Sequence, residues 1–408
     1  MTDVAAYLDE ARKIAAGSGA VAALKQFEAM GLPTNKLEDW RYTDLRPLRK
    51  EPFRALTDGG AEAGIVVPES LSSWPRLVLL NGRCLRDASD DLSGTGIEIT
   101  QTAPVVDSAS DGIEALNFAL AGEPFQLTVD AGAETKGLEL TLVFDGPPDR
   151  AVHTRFLLRV ADGASLDMWV RVLGSGPLGW INLVQQIDME KDSRLRIFMD
   201  IDPRSSDFVT IAESIRLAAG ARCEHHSIKR SAGSLRHLIR VDLAGPRADL
   251  VINGAALAGH GQTLATVIEV THSARDASSQ QFFRNVAAKK GTASFQGRII
   301  VCEKADGTDA HQSNKNLLIH PTAKANAKPE LLIDADDVQC SHGTSTGQLD
   351  EEAIFYLGQR GIPELQARAF LTTAFLADIF ERMPDQDFAD FCRSQSDPWL
   401  ADHQGGEK

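Results

Sequence analysis

Gln312 to Gly361 reads QSNKNLLIHPTAKANAKPELLIDADDVQCSHGTSTGQLDEEAIFYLGQRG, and three kinds of signal follow one another along it. The apolar runs Asn316-Leu317-Leu318-Ile319 and Leu331-Leu332-Ile333 flank a polar, proline-bearing connection expected to turn. Val338-Gln339-Cys340-Ser341-His342-Gly343 then has the alternation of a short strand. At Asp350 the period changes. Asp350 is an expected N-cap, Glu351 and Glu352 suit the positive end of a helix, and Ile354, Phe355 and Leu357 give it an apolar face before Gly361. Strand therefore gives way to helix within this stretch.

Alternate side chains of a strand share a face, so Cys340 and His342 are expected to point the same way. A thiolate and an imidazole so placed can hold iron, zinc or a sulfur species. Two ligands are half of a tetrahedral site, and no nearby Cys or His completes it. The spacing also permits a plainer reading, with Cys340 a small buried hydrophobe beside Val338 and His342 the end of a strand.

Upstream, from Phe125 to His342, strand patterns dominate: Leu138 to Phe144, Phe156 to Val160, Leu166 to Val172, Ile181 to Ile187, Leu195 to Ile201, Leu235 to Leu243, Leu264 to Val270 and Ala293 to Val301. No helices alternate with them, which argues against a βαβ sheet. A turn residue, a small residue and an alternating strand recur at Gly163-Ala164-Ser165-Leu166, Asp192-Ser193-Arg194-Leu195, Gly220-Ala221-Arg222-Cys223 and Gly291-Thr292-Ala293-Ser294. The first three are spaced as solenoid coils are, so a stacked β-solenoid is expected rather than a sandwich.

The flanks are helical. Val4, Leu8, Ala11, Ile14 and Ala15, then Val21, Leu24 and Phe27, predict two short amphipathic helices, and Asp111 to Ala121 a third. Trp40 and Tyr42 are read as pinning their loop onto its own domain, with a docking patch the alternative. After Pro363, residues Leu365, Ala369, Phe370, Thr373, Leu376, Ile379 and Phe380 predict a long amphipathic helix to Met383, and the helix pair is expected to cap the stack. From Gln386 the polar, acidic tail, ending Gly405-Gly406-Glu407-Lys408, is expected to fray. The divisions are 1–122 (helical and mixed), 123–345 (solenoid) and 346–408 (helical).

Composition narrows the function. The 408 residues carry a net charge of −15, against a nucleic-acid or anionic-membrane surface. Five scattered cysteines without a CxxC pair suggest neither a disulfide framework nor a zinc ribbon. No stretch approaches the roughly 20 apolar residues of a membrane span, and the N-terminus lacks a signal-like apolar core, so a cytoplasmic chain is expected. GxxxxGK[ST] is absent and no Ser/His/Asp arrangement can be assembled. His225 and His226 are adjacent and would face opposite ways, which argues against joint ligation. His311 and His320 are read as structural, and Cys223 and Cys302 as core.

The same stretch resembles the signature of the SufB/SufD family of iron–sulfur cluster assembly scaffolds. The matching residues are Pro329, Leu331, Ile333, Asp336-Asp337-Val338, Cys340-Ser341-His342-Gly343, Gly347, Leu349-Asp350, Phe355-Tyr356-Leu357 and Arg360-Gly361-Ile362. LPTNKLEDWRYTDL, near Trp40, and the chain length are similar to the SufD branch. The resemblance implies a right-handed parallel β-helix with helical flanks and a non-enzymatic scaffold. It implies pairing with the paralogous SufB, docking of the SufC ATPase on the segment Leu349 to Phe380, and a transient cluster at the SufB interface. It makes His342 the first candidate for that interface and Cys340 the second, and gives Tyr356 and Arg360 as candidate SufC contacts. A homodimer is possible for the chain alone, and no tightly bound cofactor is expected there. The alternatives are a SufB-like main scaffold, a carbohydrate-active β-helix enzyme, and a stand-alone metal-binding protein using Cys340 and His342.

Overall fold

The computed structural model describes residues 2–50, 53–56, 65–101, 109–204 and 208–404. Strand patterning becomes two ten-stranded sheets, and from Phe125–Val129 onward successive strands alternate between them, in an order that follows the sequence. Together they make a β-solenoid of about eight turns with helices at both termini. Pairing is parallel along the body, for example Arg194–Asp202 between Ser165–Gly174 and Arg222–Lys229. Parallel strands need both faces covered, and here one face is the shared interior. Leu166, Ile197, Ile211, Leu235, Leu250 and Ile268 belong to a single buried cluster running along the axis.

The corner between the sheets explains the recurrent turn. Gly163, Asp192, Gly220, Arg247, Asp276 and Gly307 all have φ between 55° and 76°. That left-handed conformation costs a glycine little and an Asp less than a β-branched residue. The residue after each (Ala164, Ser193, Ala221, Ala248, Ala277, Thr308) is small and buried. The corners hydrogen-bond coil to coil, as from Asp192 N to Ala219 O at 2.9 Å and Gly220 N to Pro246 O at 3.0 Å. One expectation is corrected. Gly291 follows Lys290 (φ 56°) at the opposite corner, so it is not a fourth member of the series; Arg247, Asp276 and Gly307 are.

Each sheet's outer face is covered by a different terminus. The N-terminal helices α1 (Thr2–Ile14) and α2 (Gly17–Met30) and, after the short α3 (Arg46–Lys50), α4 (Gly112–Leu120) form a cluster with Ala151, Trp180, Val184 and Phe208. Asp111 caps α4, its carboxylate accepting from the Ile113 and Glu114 amides at 2.9 Å. Asn117 anchors that helix, donating to the carbonyls of Thr154 (3.1 Å) and Asn182 (2.8 Å). Val21 faces solvent, since Ala20, Ala23, Leu24 and Phe27 form the inward stripe. Trp40 is buried beneath the Arg236 guanidinium, 4.0 Å from its ring centre, so the loop is pinned as the plainer reading expected.

At the other terminus, α5 (Glu351–Gln359), α6 (Glu364–Phe380) and α7 (Gln386–Gln404) pack on Trp169, Phe198, Ile228, Leu257 and Val286. Three expectations change here. The helices lie across a sheet face and leave the end of the stack uncapped. The residues from Gln386 form a helix, because Phe388, Ala389, Cys392, Ser396, Trp399 and Leu400 recur at helical spacing and are buried; the overall polarity of the segment hides that stripe. Leu365 and Phe370 are exposed, since α6 turns Ala367, Thr372, Leu376 and Ile379 inward instead. Residues 405–408, expected to fray, lie outside the described residues. The Asn316–Ile333 connection is also shorter than expected: Lys324–Ile333 is strand throughout, Pro329 included. Its sheet ends there, and an edge strand tolerates a missing N–H.

Candidate functional site

The two sheets end at the C-terminal side in Lys324–Ile333 and Val338–Gln348, each paired on one side only. Cys340 lies in register with Ala310 and His342 with Gln312, so both side chains continue the inward-facing row, as the alternation requires. Their surroundings differ. Cys340 is half-buried against a small cluster containing Ile299, Val301 and Ala310, whereas His342 is exposed at the mouth of the stack. Burial, with the nearby Asp309 charge, pushes the Cys340 thiol above its ordinary value, against a smaller opposing pull from the Ala310 backbone. The thiol is therefore held protonated near neutrality.

The interior beneath His342 is polar. Gln312 donates to Gln281 Oε1 at 2.7 Å, and Asn285 donates to the side-chain oxygens of Asn314 (2.8 Å) and Asn316 (2.9 Å). Asn316 in turn donates to Ser345 O at 3.2 Å and Thr346 Oγ1 at 3.3 Å. Sequence reading missed this ladder. Its signal is Gln312-Ser313-Asn314-Lys315-Asn316, an alternation with no apolar phase, which is unusual for a strand with a buried face.

The other candidates separate. Ser341 lies on the opposite face from His342, where its hydroxyl meets His311 Nδ1 at 2.7 Å, while His311 Nε2 lies 2.8 Å from Asp309. His320 Nδ1 accepts from the Thr322 amide at 3.1 Å, a local turn contact. Cys223 is buried in the solenoid, its thiol pushed up by burial and by the charges of Glu213 and Glu224; Cys302 is half-buried beside a corner. His225 and His226 do face opposite ways. His226 stacks outward on Phe198 at 5.5 Å, and His225 points into the core toward Glu213 Oε1 at 3.2 Å. His237, on the strand next to Glu213 in the same sheet, meets the same oxygen, a convergence that the sequence did not reveal.

On the helices, the Arg360 guanidinium stacks 4.3 Å from the ring centre of Tyr356. Phe355 (68%) and Tyr356 (54%) on α5 and Leu365 (53%) and Phe370 (57%) on α6 are exposed.

A model of the SUF system FeS cluster assembly, SufBD core domain, matches residues 143–375, which span most of the solenoid, its open end and most of α6. The chain belongs to the SufBD family. It is similar to the iron–sulfur cluster assembly protein SufD of Escherichia coli (strain K12), 29% identical over 390 residues, covering 89% of this chain and 88% of the relative. A SufBD family protein of Synechocystis is 27% identical over 407 residues (87% and 85%), and one of Mycobacterium tuberculosis 24% over 382 (91% and 90%). This SufBD protein is thus an iron–sulfur cluster assembly protein similar to SufD along nearly its whole length. Among its described residues no helix is long and apolar enough to cross a membrane.

Proposed function

We propose that this chain is the SufD-like, non-catalytic half of a SufB–SufD scaffold, and that its open end pairs with the SufB solenoid. The observation that carries the reading is the contrast between the two edge strands. Natural edges are protected by charge and proline. Lys324–Ile333 carries Lys324, Lys328, Pro329 and Glu330, whereas Val338–Gln348 has eleven residues with no Lys, Arg, Asp, Glu or Pro. An uncharged edge of that length is a template for strand addition. Pairing there would enclose His342 and Cys340 against a partner that supplies the remaining ligands. The nascent cluster is cargo at that interface, held by His342 first and Cys340 second.

The exposed apolar surface of α5 and α6 is the docking face for the SufC ATPase, with Tyr356 and Arg360 presented together as a stacked pair. The same free edge would serve a homodimer when SufB is absent. Co-expression with SufB and SufC counterparts, wild type against His342→Ala, tests the reading. Gel filtration reports assembly, and iron and acid-labile sulfide report loading. Assembly of both with cluster lost only from the variant supports it. A normal cluster load in the variant would place the chemistry wholly in the partner. No complex with wild type would sink the pairing.

A further inference from the structure

We propose that Glu213, His225 and His237 form a second metal site, sealed inside the solenoid, that takes one divalent first-row ion such as Zn2+ or Fe2+. The three come from consecutive strands, Phe208–Leu217, Arg222–Lys229 and Ser234–Leu243, so one coil and the start of the next supply the whole set. All three are fully buried. One ligand atom from each lies within 4.8 Å of the other two. His225 Nε2 is 3.2 Å from Glu213 Oε1, and His237 Nε2 is closer still to the same oxygen.

A plain hydrogen-bonded core explains this arrangement poorly. Two imidazole donors would crowd one carboxylate oxygen while the other, Oε2, is buried with no hydrogen-bond partner. An unpaired buried carboxylate oxygen is costly, and a polar cluster in an aliphatic interior is a net burden unless fully satisfied. Two imidazoles and a carboxylate are the donor set preferred by zinc and non-haem iron. Metal–ligand bonds of about 2.0–2.2 Å space tetrahedral ligands by roughly 3.3–3.6 Å. The His225 contact already nears that spacing, and the His237 contact must open.

The competing cation is Lys229, fully buried nearby, whose ammonium donates to Thr266 Oγ1 at 3.0 Å and lies 5.7 Å from the Phe283 ring centre. If Lys229 alone balances Glu213, no ion is held. Phe283 and Phe295, both fully buried with ring centres 4.9 Å apart, lie on the later strands Ser278–Ala287 and Thr292–Val301, between the cluster and the open end. The ion is therefore taken up as the chain folds and exchanges slowly afterwards. This departs from the expectation of no tightly bound ion in the isolated chain and does not depend on how the open end is used.

The test is expression of the full chain in medium supplemented with Co2+, purification through EDTA, and metal analysis with visible absorption. Wild type and the double variant Cys340→Ser/His342→Ala are expected to keep about one Co2+ per chain, with d–d bands and no thiolate charge-transfer band. Glu213→Gln and His237→Gln are expected to lose at least about tenfold of that content. Should either core variant fail to fold, the first two proteins decide alone. Wild type with under about a tenth of an ion per chain, or loss of the ion from the double variant, overturns the site.

Discussion

The two ends of the solenoid are built from the same repeat and finish differently. At the N-terminal end, one sheet closes with Ile97–Gln101 antiparallel to Phe125–Val129, and the other with Arg83–Cys84 antiparallel to Arg76–Leu80. Leu127, Val129, Leu138 and Leu140 behind them are completely buried. At the C-terminal end two parallel strands of ten and eleven residues stop with free edges, and none of their side chains is fully buried. A short antiparallel flap hides an edge and completes a core; a long parallel edge leaves both undone. One end is closed, the other is left with both edges free.

The contrast predicts unequal responses to substitution. Leu140→Ala, inside the closed end, is expected to cost about 2–5 kcal/mol in urea unfolding, because the cavity cannot collapse. Gln339→Ala on the free edge should stay within about 0.5 kcal/mol. Equal losses at the two positions would erase the distinction.

Acid attacks the buried body. Burial lowers His153 from 6.5 to about 3 and His272 from 6.5 to about 4. Both stay neutral in the folded chain while the unfolded chain takes up protons below about 6.5. Their contribution is thus intact above pH 6.5 and falls as pH drops toward 4, by on the order of 3 kcal/mol each. Urea midpoints at pH 7.5 and pH 4.5 measure it, and an unchanged midpoint would show that these imidazoles are hydrated.

Between the two ends lies the amide ladder. Asn316→Ala removes an acceptor from the buried Asn285 and is expected to cost about 1–3 kcal/mol, read as a lower melting temperature. A neutral result would mean that water replaces the side chain. His342→Ala, like Gln339→Ala, is expected to stay within about 0.5 kcal/mol, since its side chain is exposed. If that change instead lowers the melting temperature as much as Asn316→Ala does, His342 holds the strand in place.

Much of this was legible because it is local. Alternation marked the strands from Leu138 to Val301, and turn-plus-small-residue signals marked the corners, since a left-handed residue followed by a buried small side chain is a requirement on two adjacent positions. Asp111 and Asp350 announced their helices for the same reason. Cys340 and His342 could be placed on one face by counting. The α7 stripe was missed because Phe388, Cys392 and Trp399 are diluted by acids and serines, and the amide ladder because buried polarity looks like surface polarity until its partners are known.

The sequence by itself determined the repeating strands, their corners, the helical flanks and the pair Cys340–His342, all set by backbone preferences and side-chain period within a few residues. Only the tertiary structure decided that the terminal helices cover a sheet face and leave the end open. It alone brought His237 onto the carboxylate that His225 meets. Those outcomes depend on which coil stacks on which and on which faces remain to be buried, and contacts between residues a full coil apart leave no periodic trace in the chain.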